Sequence, residues 1–452
     1  MTGLGRGDRL PRVRVEPPGP RSRVLCRRLA AVEAPGINTV AGGEPTIVWR
    51  AARGANVLDV DSNRYLDLTS GFGAAAVGHR HPRVVAAVRA QAGELIHGLG
   101  DIHAHPLRPQ LAERLAARVP VAGARGRGGR EPESGSGVAV YFAVSGAEAV
   151  EIAVATALLA SGRPEAVAFD PAYHGLTLGA LALTSRPEFR RPFAHWLPAT
   201  VHRLPYGGPP AELARLLDAH PGIGCCVFEP IAGREGIIVP PPGWLAAVVG
   251  ECRARGVISI ADEVFTGFGR TGRWFAVEHE LAAGAPGMSD DLRPDLLVCG
   301  KALGGGLPIA AVAGRRELMA AWETPGEALH TATHVANPLA CAAALAVLEV
   351  LERQRLIDLA ARLGAHMAKR IAPWPERFPA LESVRGRGLM QALVLAGRAA
   401  AGRLVLAARR RGVLLLAGGP DGRVAQLLPP LTVTRRQLDA ALDLLADALA
   451  EI

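Results

Sequence analysis

The chain has 452 residues, of which 49 % are hydrophobic and 21 % charged, enough apolar material for a large core shared between two or more domains. No apolar run reaches the roughly 18 residues that a membrane-spanning helix needs, because Arg, Gly, Pro or Asp interrupts each run. The net charge of +9 comes from scattered arginines, and aromatic residues make up only 4 %, so the composition argues against nucleic-acid binding.

The N-terminal segment 1–36 is rich in Arg, Pro and Gly and lacks the apolar centre of a signal peptide, so we expect a mobile arm. The six cysteines form neither a C-x-x-C pair nor a short disulfide-like spacing, which predicts a reducing, cytoplasmic environment. From about residue 138 to 350, apolar runs of strand length alternate with longer helical segments, the pattern of a mostly parallel sheet covered by helices. The expected strands are Val138–Val144, Ala166–Phe169, Cys225–Phe228, Val257–Ala261 and Leu296–Cys299.

Three further segments give predictions about the organisation of the chain. The Arg- and Gly-rich stretch 122–137 is expected to be an exposed loop before the first strand. Asn337-Pro338 predicts the start of a long helix, with Asn as N-cap and Pro at the first helical position. From about Leu345 the sequence changes to Ala-, Leu- and Arg-rich helices and short strands, which predicts a separate C-terminal subdomain.

Each expected strand is followed at once by polar or glycine residues. Ligands of open parallel sheets bind beyond the carboxyl ends of the strands, so these residues are expected to converge on one cleft. They are Ser145-Gly146, Asp170, Glu229, Asp262-Glu263 and Gly300-Lys301.

Lysine is nearly absent, since only Lys301 and Lys369 among the 51 basic residues are lysine. Arginine stays protonated, whereas a desolvated lysine can lose its proton and attack a carbonyl carbon. Lys301 ends a strand-like run and opens a glycine-rich turn, so we predict that it is a nucleophile that forms a Schiff base. Lys369 lies on a polar helix face and is expected to be an ordinary solvated charge.

Three further features are typical of a cofactor site, although each has a plainer explanation. Ser145 and Glu148 form a capping-box pattern whose helix amides could bind a phosphate, or simply begin a helix. Asp262 could pair with a protonated ring nitrogen or cap a strand, and Tyr173 could stack on a planar ring or only pack. Together with Lys301 they describe pyridoxal 5'-phosphate, which needs an amine for its aldehyde, amides for its phosphate and a carboxylate for its ring nitrogen.

The segments 262–272 and 294–308 strongly resemble the class III pyridoxal-phosphate aminotransferases. They have the sequences DEVFTGFGRTG and PDLLVCGKALGGGLP. The resemblance extends from about Asn38 to Val433 through further motifs in the same order. These motifs are Ser70-Gly-Phe-Gly73, Gly78-His-Arg-His-Pro82, Ser145-Gly-Ala-Glu-Ala149, Tyr173-His-Gly175, Glu229-Pro-Ile231 and Asn337-Pro-Leu-Ala340.

The resemblance implies the α/β fold type I of pyridoxal-phosphate-dependent transferases. This fold has a large domain with a mostly parallel seven-stranded sheet and a small α+β domain made from both termini. Here the small domain would comprise 37–105 and 345–452, and the large cofactor-binding domain 106–344. A homodimer with shared active sites is implied as well, because Thr333 lies where family members contact the phosphate of the neighbouring subunit.

The resemblance also implies roles for individual residues. Lys301 would bind the cofactor aldehyde and then carry the proton between substrate and cofactor carbon atoms, and Asp262 would keep the ring nitrogen protonated. These two are the expected catalytic residues. The expected cofactor-binding residues are Ser145, Gly146, Ala147, Tyr173, His174, Glu229, Asp262, Val264, Lys301 and Thr333.

Several positions around the expected substrate pocket depart from the family pattern. Gln426 stands where members that use 2-oxoglutarate commonly carry arginine, and Leu176 stands where relatives acting on 4-aminobutyrate or ornithine often have one. Arg234 replaces a glutamate that shields the C-terminal arginine in many relatives. Because glutamine cannot make the bidentate ionic contact of arginine, either Arg234 has taken over carboxylate recognition, or it points outward and the substrate lacks a carboxylate there. The expected substrate residues are Phe72, Leu176, Arg234 and Gln426.

We therefore predict a transferase that moves an amino group from an amine or amino acid donor to a keto acid or aldehyde acceptor by a ping-pong mechanism. A lyase, racemase or epimerase on the same fold is one alternative, and a non-catalytic protein that keeps the fold is another. No metal site is expected, because the histidines between 79 and 105 lack H-E-x-x-H spacing and partly belong to the family motif. Neither a nucleic acid nor a membrane is expected as a partner.

Overall fold

The computed structural model of the chain describes residues 4–37, 46–123, 137–281 and 292–452. The helices are α1 Pro20–Ala30, α2 Pro82–Glu94, α3 Leu107–Ala116, α4 Gly146–Ser161, α5 Leu178–Leu183, α6 Pro187–Arg190, α7 Pro210–Ala219, α8 Trp244–Ala254, α9 Glu278–Leu281, α10 Arg316–Met319, α11 Pro338–Arg353, α12 Leu356–Ile371, α13 Trp374–Arg377, α14 Arg398–Arg410 and α15 Arg435–Leu449. The strands are β1 Trp49–Arg53, β2 Asn56–Asp59, β3 Arg64–Asp67, β4 Val138–Ala143, β5 Glu165–Asp170, β6 Val201–Pro205, β7 Ile223–Phe228, β8 Ile258–Asp262, β9 Leu296–Cys299, β10 Ala310–Arg315, β11 Leu381–Arg387, β12 Met390–Leu395, β13 Val413–Leu414, β14 Leu416–Gly418 and β15 Val424–Leu427. Short 3-10 turns span Arg191–Trp196, Lys301–Gly304 and Ala320–Trp322.

The chain divides into two compact units, a larger one formed by residues 82–362 and a smaller one formed by residues 1–81 and 363–452. The smaller unit therefore contains both termini, as the resemblance implied. Among the described residues, every helix is too short or too polar to cross a membrane.

The larger unit is built on a seven-stranded sheet, within the described residues, in the order β4-β10-β9-β8-β7-β5-β6. The strands from β6 to β9 pair in parallel, and β10 runs antiparallel to both of its neighbours. All five strands expected from the sequence are present, with ends shifted by at most two residues. The prediction of a mostly parallel sheet is confirmed.

Burial on both faces explains the composition of the central strands. Every residue of β7, β8 and β9 is buried, which is why these segments are nearly continuous apolar runs without alternation. The alanine-rich helix α4 packs on the sheet through Ala149, Ala153 and Ala157, whose four-residue spacing places them on one helix face. Small side chains at these positions allow the helix to lie close to the sheet.

The smaller unit contains two four-stranded sheets within the described residues, in the orders β1-β2-β3-β13 and β11-β12-β15-β14. β13 pairs in parallel with β3, so strands from the two ends of the chain share one sheet. Thr434 is the N-cap residue of helix α15, and it forms a complete capping box with Gln437. The side-chain Nε2 atom of Gln437 also donates a hydrogen bond to the Gly7 carbonyl oxygen at 3.1 Å.

The structure describes residues 4–36 of the segment 1–36, for which we predicted a mobile arm. The described part of this segment contains α1, and the Asp61 carboxylate accepts hydrogen bonds from the backbone N–H groups of Arg21 and Ser22 and from the Ser22 hydroxyl, at 2.6 to 2.9 Å. Arg12 forms a β-bridge with Arg64. Side-chain capping of a helix start by a residue 40 positions away has no local sequence signal, which is why composition alone indicated a free arm.

The domain limits also differ from the predicted ones. The larger unit begins at 82 and ends at 362, whereas the prediction placed its limits at 106 and 344. The reason is that α11 packs against α2 and α3, which keeps all three helices in one unit. Asn337 caps α11 by accepting hydrogen bonds from the backbone N–H groups of Leu339 and Ala340, as predicted. Most of the loop predicted at 122–137 lies outside the described residues.

Candidate active site

Three charged side chains follow the carboxyl ends of neighbouring parallel strands in the larger unit. Glu229 comes directly after β7, Asp262 is the last residue of β8, and Lys301 lies two residues beyond the end of β9. β7 pairs in parallel with β8, and β8 with β9, so the three side chains lie at one edge of the sheet. We call this edge the carboxyl edge. The structure thus brings together three of the positions selected from the sequence.

Lys301 occupies the first position of a 3-10 turn with a left-handed backbone, at φ +41°. Its Nζ atom lies 4.1 Å from the centre of the Phe265 ring. Withdrawal from water lowers the pKa of the Lys301 ammonium, although the nearby Asp262 and Glu229 carboxylates act in the opposite direction. The amine is therefore easier to deprotonate than a solvated lysine, which is the property that a nucleophile requires.

The carboxylate of Asp262 is buried and fixed by two hydrogen bonds. Its Oδ2 atom lies 2.8 Å from Nδ1 of the buried His174, and its Oδ1 atom accepts a hydrogen bond from the Val264 backbone N–H at 3.1 Å. The Nε2 atom of His174 finds no hydrogen-bond partner among the described residues. Asp262 is thus held in one orientation, and no arginine or lysine of the described residues forms an ion pair with it, so its charge remains available to a cationic group in the site.

Glu229 is a second buried carboxyl group beside Asp262. Its two oxygens accept hydrogen bonds from the backbone N–H groups of Tyr173, at 3.0 Å, and Gly233, at 2.9 Å. Burial raises the pKa of Glu229 to about 7, and the Asp262 charge contributes in the same direction. Glu229 therefore anchors two loops at the carboxyl edge, and it takes up a proton near neutral pH.

Helix α4 begins beside these residues. The Ser145 side chain caps it by accepting a hydrogen bond from the Glu148 backbone N–H at 3.2 Å. The predicted capping box is only half formed, because the Glu148 carboxylate accepts instead from the Val144 backbone N–H at 2.8 Å. The first amides of α4, at Gly146 and Ala147, remain directed along the helix axis at the positive end of its dipole, where an anion is stabilised.

Glycine is required where the helix start approaches the neighbouring loops. A Cβ atom on Gly146 would lie 2.9 Å from Cγ1 of Val264, which follows Asp262 by two residues. Gly175 has φ +136°, and a Cβ atom there would lie 2.6 Å from Cβ of Ala147. The close approach brings the amino-terminal end of α4 next to the loops that carry His174 and Asp262.

Arg234 lies on the aromatic ring of Tyr173. The centre of its guanidinium group is 4.7 Å from the Tyr173 ring centre and 5.9 Å from that of Phe189. Its Nε atom is buried and has no hydrogen-bond partner among the described residues. The neighbouring Glu235 carboxylate is engaged by Arg186, whose Nε atom lies 2.8 and 3.0 Å from its two oxygens. Arg234 therefore retains a positive charge without a bound carboxylate in the described part of the chain.

The remaining predicted site residues belong to both units. Leu176 follows Gly175 and is exposed, and Thr333 lies in an exposed turn of the larger unit. Phe72 and Gln426 belong to the smaller unit, where Phe72 is exposed with φ +58° and Gln426 is buried in β15. The Arg186–Glu235 ion pair escaped the sequence analysis because its two members are 49 residues apart and belong to no motif.

Comparison with known proteins identifies the family of the chain. The family model described as Aminotransferase class-III matches residues 39–449, so the chain belongs to the class III aminotransferases. A 4-aminobutyrate aminotransferase of Mycobacterium tuberculosis is 37 % identical over 469 residues, covering 98 % of each chain. An acetylornithine aminotransferase of Mycobacterium leprae is 39 % identical over 399 residues, covering 88 % of this chain and 89 % of the relative.

Solved structures show the same similarity. The ornithine aminotransferase from Toxoplasma gondii ME49 superposes with a TM-score of 0.82 at 28 % identity, covering 95 % of each chain. An amine transaminase from an uncultivated Pseudomonas species, in a form with pyridoxal phosphate bound, gives a TM-score of 0.79 at 30 % identity, covering 92 % of this chain and 98 % of that one.

These findings confirm the predicted family, the α/β fold and the activity. The chain is a pyridoxal-phosphate-dependent transaminase that transfers an amino group between a donor and an acceptor, and a ping-pong mechanism is general for its family. The names of the relatives all describe amino-group transfer, which supports a transaminase over the lyase, racemase, epimerase and non-catalytic alternatives.

Proposed function

We propose that pyridoxal 5'-phosphate binds at the carboxyl edge, with Lys301 holding its aldehyde carbon and Asp262 facing its ring nitrogen. The observation that carries this proposal is the lowered pKa of Lys301 beside two buried carboxyl groups at the ends of adjacent strands. The residues fit the cofactor chemically, since they offer an amine, a fixed carboxylate and the first amides of α4. The structure with pyridoxal phosphate bound, to which this chain is similar, supports the same cofactor.

Lys301 and Asp262 would act on the substrate proton and on the charge of the ring. When bound, the cofactor supplies an aldehyde that captures an amino group and a protonated ring that withdraws electrons from the donor carbon. The neutral Nζ atom of Lys301 would accept the proton from the donor carbon. The Asp262 carboxylate would hold a proton on the ring nitrogen, and the 2.8 Å contact with His174 keeps that carboxylate in position.

The other residues of the site would bind and orient. We propose that the amides of Gly146 and Ala147, with the Ser145 side chain, hold the phosphate at the start of α4. Val264 and Tyr173 would pack against opposite faces of the ring. Thr333 would reach the phosphate of the neighbouring subunit, and its exposure in this chain is consistent with that role.

Reduction with borohydride tests the cofactor proposal directly. It should fix the cofactor covalently to Lys301, and peptide mass spectrometry should locate the adduct there. Lys369 provides a matched control because it is the only other lysine in the sequence. An adduct on Lys369, or none on a protein that is active, would contradict the proposal.

We also propose that Arg234 binds a carboxylate of the substrate. Its guanidinium lies over Tyr173, and Arg186 donates hydrogen bonds both to Glu235 and, at 3.2 Å, to the Arg234 carbonyl oxygen, which fixes the backbone of Arg234. The relatives are named for 4-aminobutyrate and acetylornithine, and each compound carries an amine several bonds away from a carboxylate. We infer that this enzyme takes an amino donor or an acceptor of that type.

A matched pair of acceptors tests this assignment. Succinic semialdehyde carries a carboxylate and butanal does not. Replacing Arg234 with Gln should lower kcat/KM for succinic semialdehyde by about 10- to 100-fold, because a charge-assisted bidentate contact is lost, and should change it by no more than about twofold for butanal. The exposed Arg215→Gln variant is the control. Equal losses with both acceptors would mean that Arg234 only supports the fold, and no loss would exclude the carboxylate contact.

We propose a homodimer for the intact enzyme. The segment 95–102 of the larger unit exposes several large apolar side chains, which are Leu95, Ile96, Leu99 and Ile102. A second copy of the chain would cover them and bring Thr333 to the partner's phosphate. Light scattering of the wild-type protein should give twice the chain mass, and the Ile96→Glu, Ile102→Glu double variant should give a monomer with weaker cofactor binding. A monomeric active wild type would contradict the dimer.

We propose a cytoplasmic location as well. All six cysteines are free thiols, and five of them are buried in the described structure. Free thiols are typical of proteins in a reducing compartment, so they support the prediction made from cysteine spacing. Cell fractionation followed by immunoblotting would check it.

A further inference from the structure

Two histidines and a glutamate meet on the surface of the larger unit, away from the carboxyl edge. Glu165 is the first residue of β5, His202 belongs to the neighbouring strand β6, and His220 follows the end of α7. One nitrogen of each histidine and one carboxylate oxygen all lie within 4.8 Å of one another. We call these three residues the His–Glu cluster. Among the described residues, no other group of three or more such side chains is this close.

The two imidazoles converge on the same carboxylate oxygen. Oε2 of Glu165 lies 2.6 Å from Nε2 of His202 and 4.0 Å from Nδ1 of His220. The two imidazole rings are 4.3 Å apart between their centres. A hydrogen bond to His202 explains the first contact, but it does not explain the position of His220, whose ring is tilted by 48° to that of His202. A shared ligand between the three groups accounts for both contacts.

The spacing suits a small divalent cation. Zinc is bound by histidine nitrogen and carboxylate oxygen at about 2.0–2.2 Å, which places tetrahedral ligand atoms about 3.4 Å apart. The distances from Oε2 of Glu165 to the two imidazole nitrogens, 2.6 and 4.0 Å, lie on either side of this value, and all three ligand atoms lie within 4.8 Å of one another. Two imidazoles and one carboxylate form a ligand set that zinc accepts with water in the fourth position.

The backbone around the cluster holds the ligands together. The Glu165 backbone N–H donates a hydrogen bond to the Gly222 carbonyl oxygen at 3.0 Å, which ties the segment after His220 to the start of β5. A Cβ atom on Gly222 would lie 2.7 Å from Oε1 of Glu165, so glycine leaves room for the carboxylate. The side chains of Glu165, His202 and His220 are 28, 22 and 44 % exposed, which gives an ion direct access from solvent.

We propose that the His–Glu cluster is a zinc-binding site that joins β5, β6 and the end of α7. The ligands are Oε2 of Glu165, Nε2 of His202 and Nδ1 of His220. The cluster lies at the amino end of β5, whereas the active site lies at the carboxyl ends of the strands, about 15 Å away along a strand of this length. The zinc ion is therefore structural and takes no part in amino transfer. The sequence analysis did not find the site because its members are 18 and 37 residues apart.

Calorimetric titration of the metal-free holoenzyme with zinc chloride tests the proposal. The wild type should bind one zinc ion per chain, and the His202→Gln and His220→Gln variants should each bind it at least about tenfold more weakly. His366→Gln is the matched control, since His366 contacts the Asp439 carboxylate at 2.5 Å and that carboxylate also accepts a hydrogen bond from Arg370. That variant should bind zinc as the wild type does.

A second measurement separates ligand loss from misfolding. Zinc should raise the thermal midpoint of the wild type and of His366→Gln, but not that of His220→Gln, while all three proteins share one midpoint in the presence of a chelator. Zinc binding as strong as that of the wild type in His202→Gln or in His220→Gln would overturn the proposal, as would the absence of one-per-chain binding in the wild type. Binding lost only in His97→Gln would overturn it too, because His97 and His334 form another close pair of imidazoles, 5.0 Å apart.

Discussion

The two ends of the parallel strands hold charged residues in opposite ways. At the carboxyl edge, Asp262 and Glu229 are buried and bonded mainly to backbone amides and a histidine. At the amino end, Glu165 is partly exposed and contacts two imidazoles that solvent reaches. At the carboxyl edge, ionising a carboxyl group costs free energy because water is excluded. At the amino end, water screens the charge of Glu165.

This contrast teaches that burial, more than the identity of the charged residue, decides which groups can perform chemistry. The pKa of Glu229 rises to about 7 and that of Lys301 falls because both are withdrawn from water. A group whose proton affinity is moved towards neutral pH can exchange protons during catalysis. Substitutions at the two ends of the strands should therefore differ strongly in their effect on activity.

The largest expected effect is that of Lys301→Arg. Arginine keeps the positive charge but cannot supply a neutral amine, so kcat/KM should fall by at least about 10³-fold. Lys369→Arg should remain within about twofold of the wild type. Steady-state rates with one donor and one acceptor would measure both. A Lys301→Arg variant with more than a tenth of the wild-type rate would rule out Lys301 as the nucleophile.

The next effect is that of Asp262→Asn. Asparagine keeps the shape and can still interact with His174 and the Val264 amide, but it carries no charge to hold a proton on the ring nitrogen. We expect kcat to fall by about 10²- to 10³-fold. Asp218→Asn, which removes an exposed ion pair with Arg255, should change kcat by less than about twofold. Comparable losses of kcat in the two variants would contradict the expected difference between buried and exposed carboxylates.

Strands and motif positions could be predicted from the sequence because they depend on local patterns. Continuous apolar runs identified β7, β8 and β9, and the residues directly after them identified Lys301 and Asp262. Features that depend on distant contacts could not be predicted. The capping of α1 by Asp61 and the Arg186–Glu235 ion pair each join residues about 40 or more positions apart. The half-formed capping box at α4 shows that a local motif can also be altered by its surroundings.

A smaller effect concerns the pH dependence of stability. The pKa of Glu229 is about 7 in the folded protein and near 4.3 in an unfolded chain, so the folded state binds this proton more tightly. The resulting stability is fully present below about pH 4.3 and is lost as the pH rises through 7, a change of roughly 4 kcal/mol. Glu229→Gln cannot lose this proton, so its stability should decline less than that of the wild type between pH 5 and 8.

Thermal midpoints at several pH values would measure this difference. Glutamine offers one acceptor oxygen to the two amides of Tyr173 and Gly233, so the variant should be less stable at pH 5, and its deficit should shrink towards pH 8. The exposed Glu188→Gln variant should follow the wild type at every pH. A deficit that stays constant from pH 5 to 8 would mean that Glu229 remains ionised throughout this range.

The smallest effect is expected for Glu165→Gln at the amino end of β5. In the presence of a chelator, this variant loses only a partly exposed contact with His202, so its stability should change by less than about 1 kcal/mol. Its kcat/KM should stay within about twofold of the wild type, because Glu165 lies at the amino end of β5 and the active site lies at the carboxyl ends of the strands. Transaminase assays and thermal melts with a chelator would check both values. A loss of activity beyond about tenfold would show that the amino end of the sheet is coupled to catalysis. It would contradict the conclusion that only the carboxyl edge takes part in amino transfer.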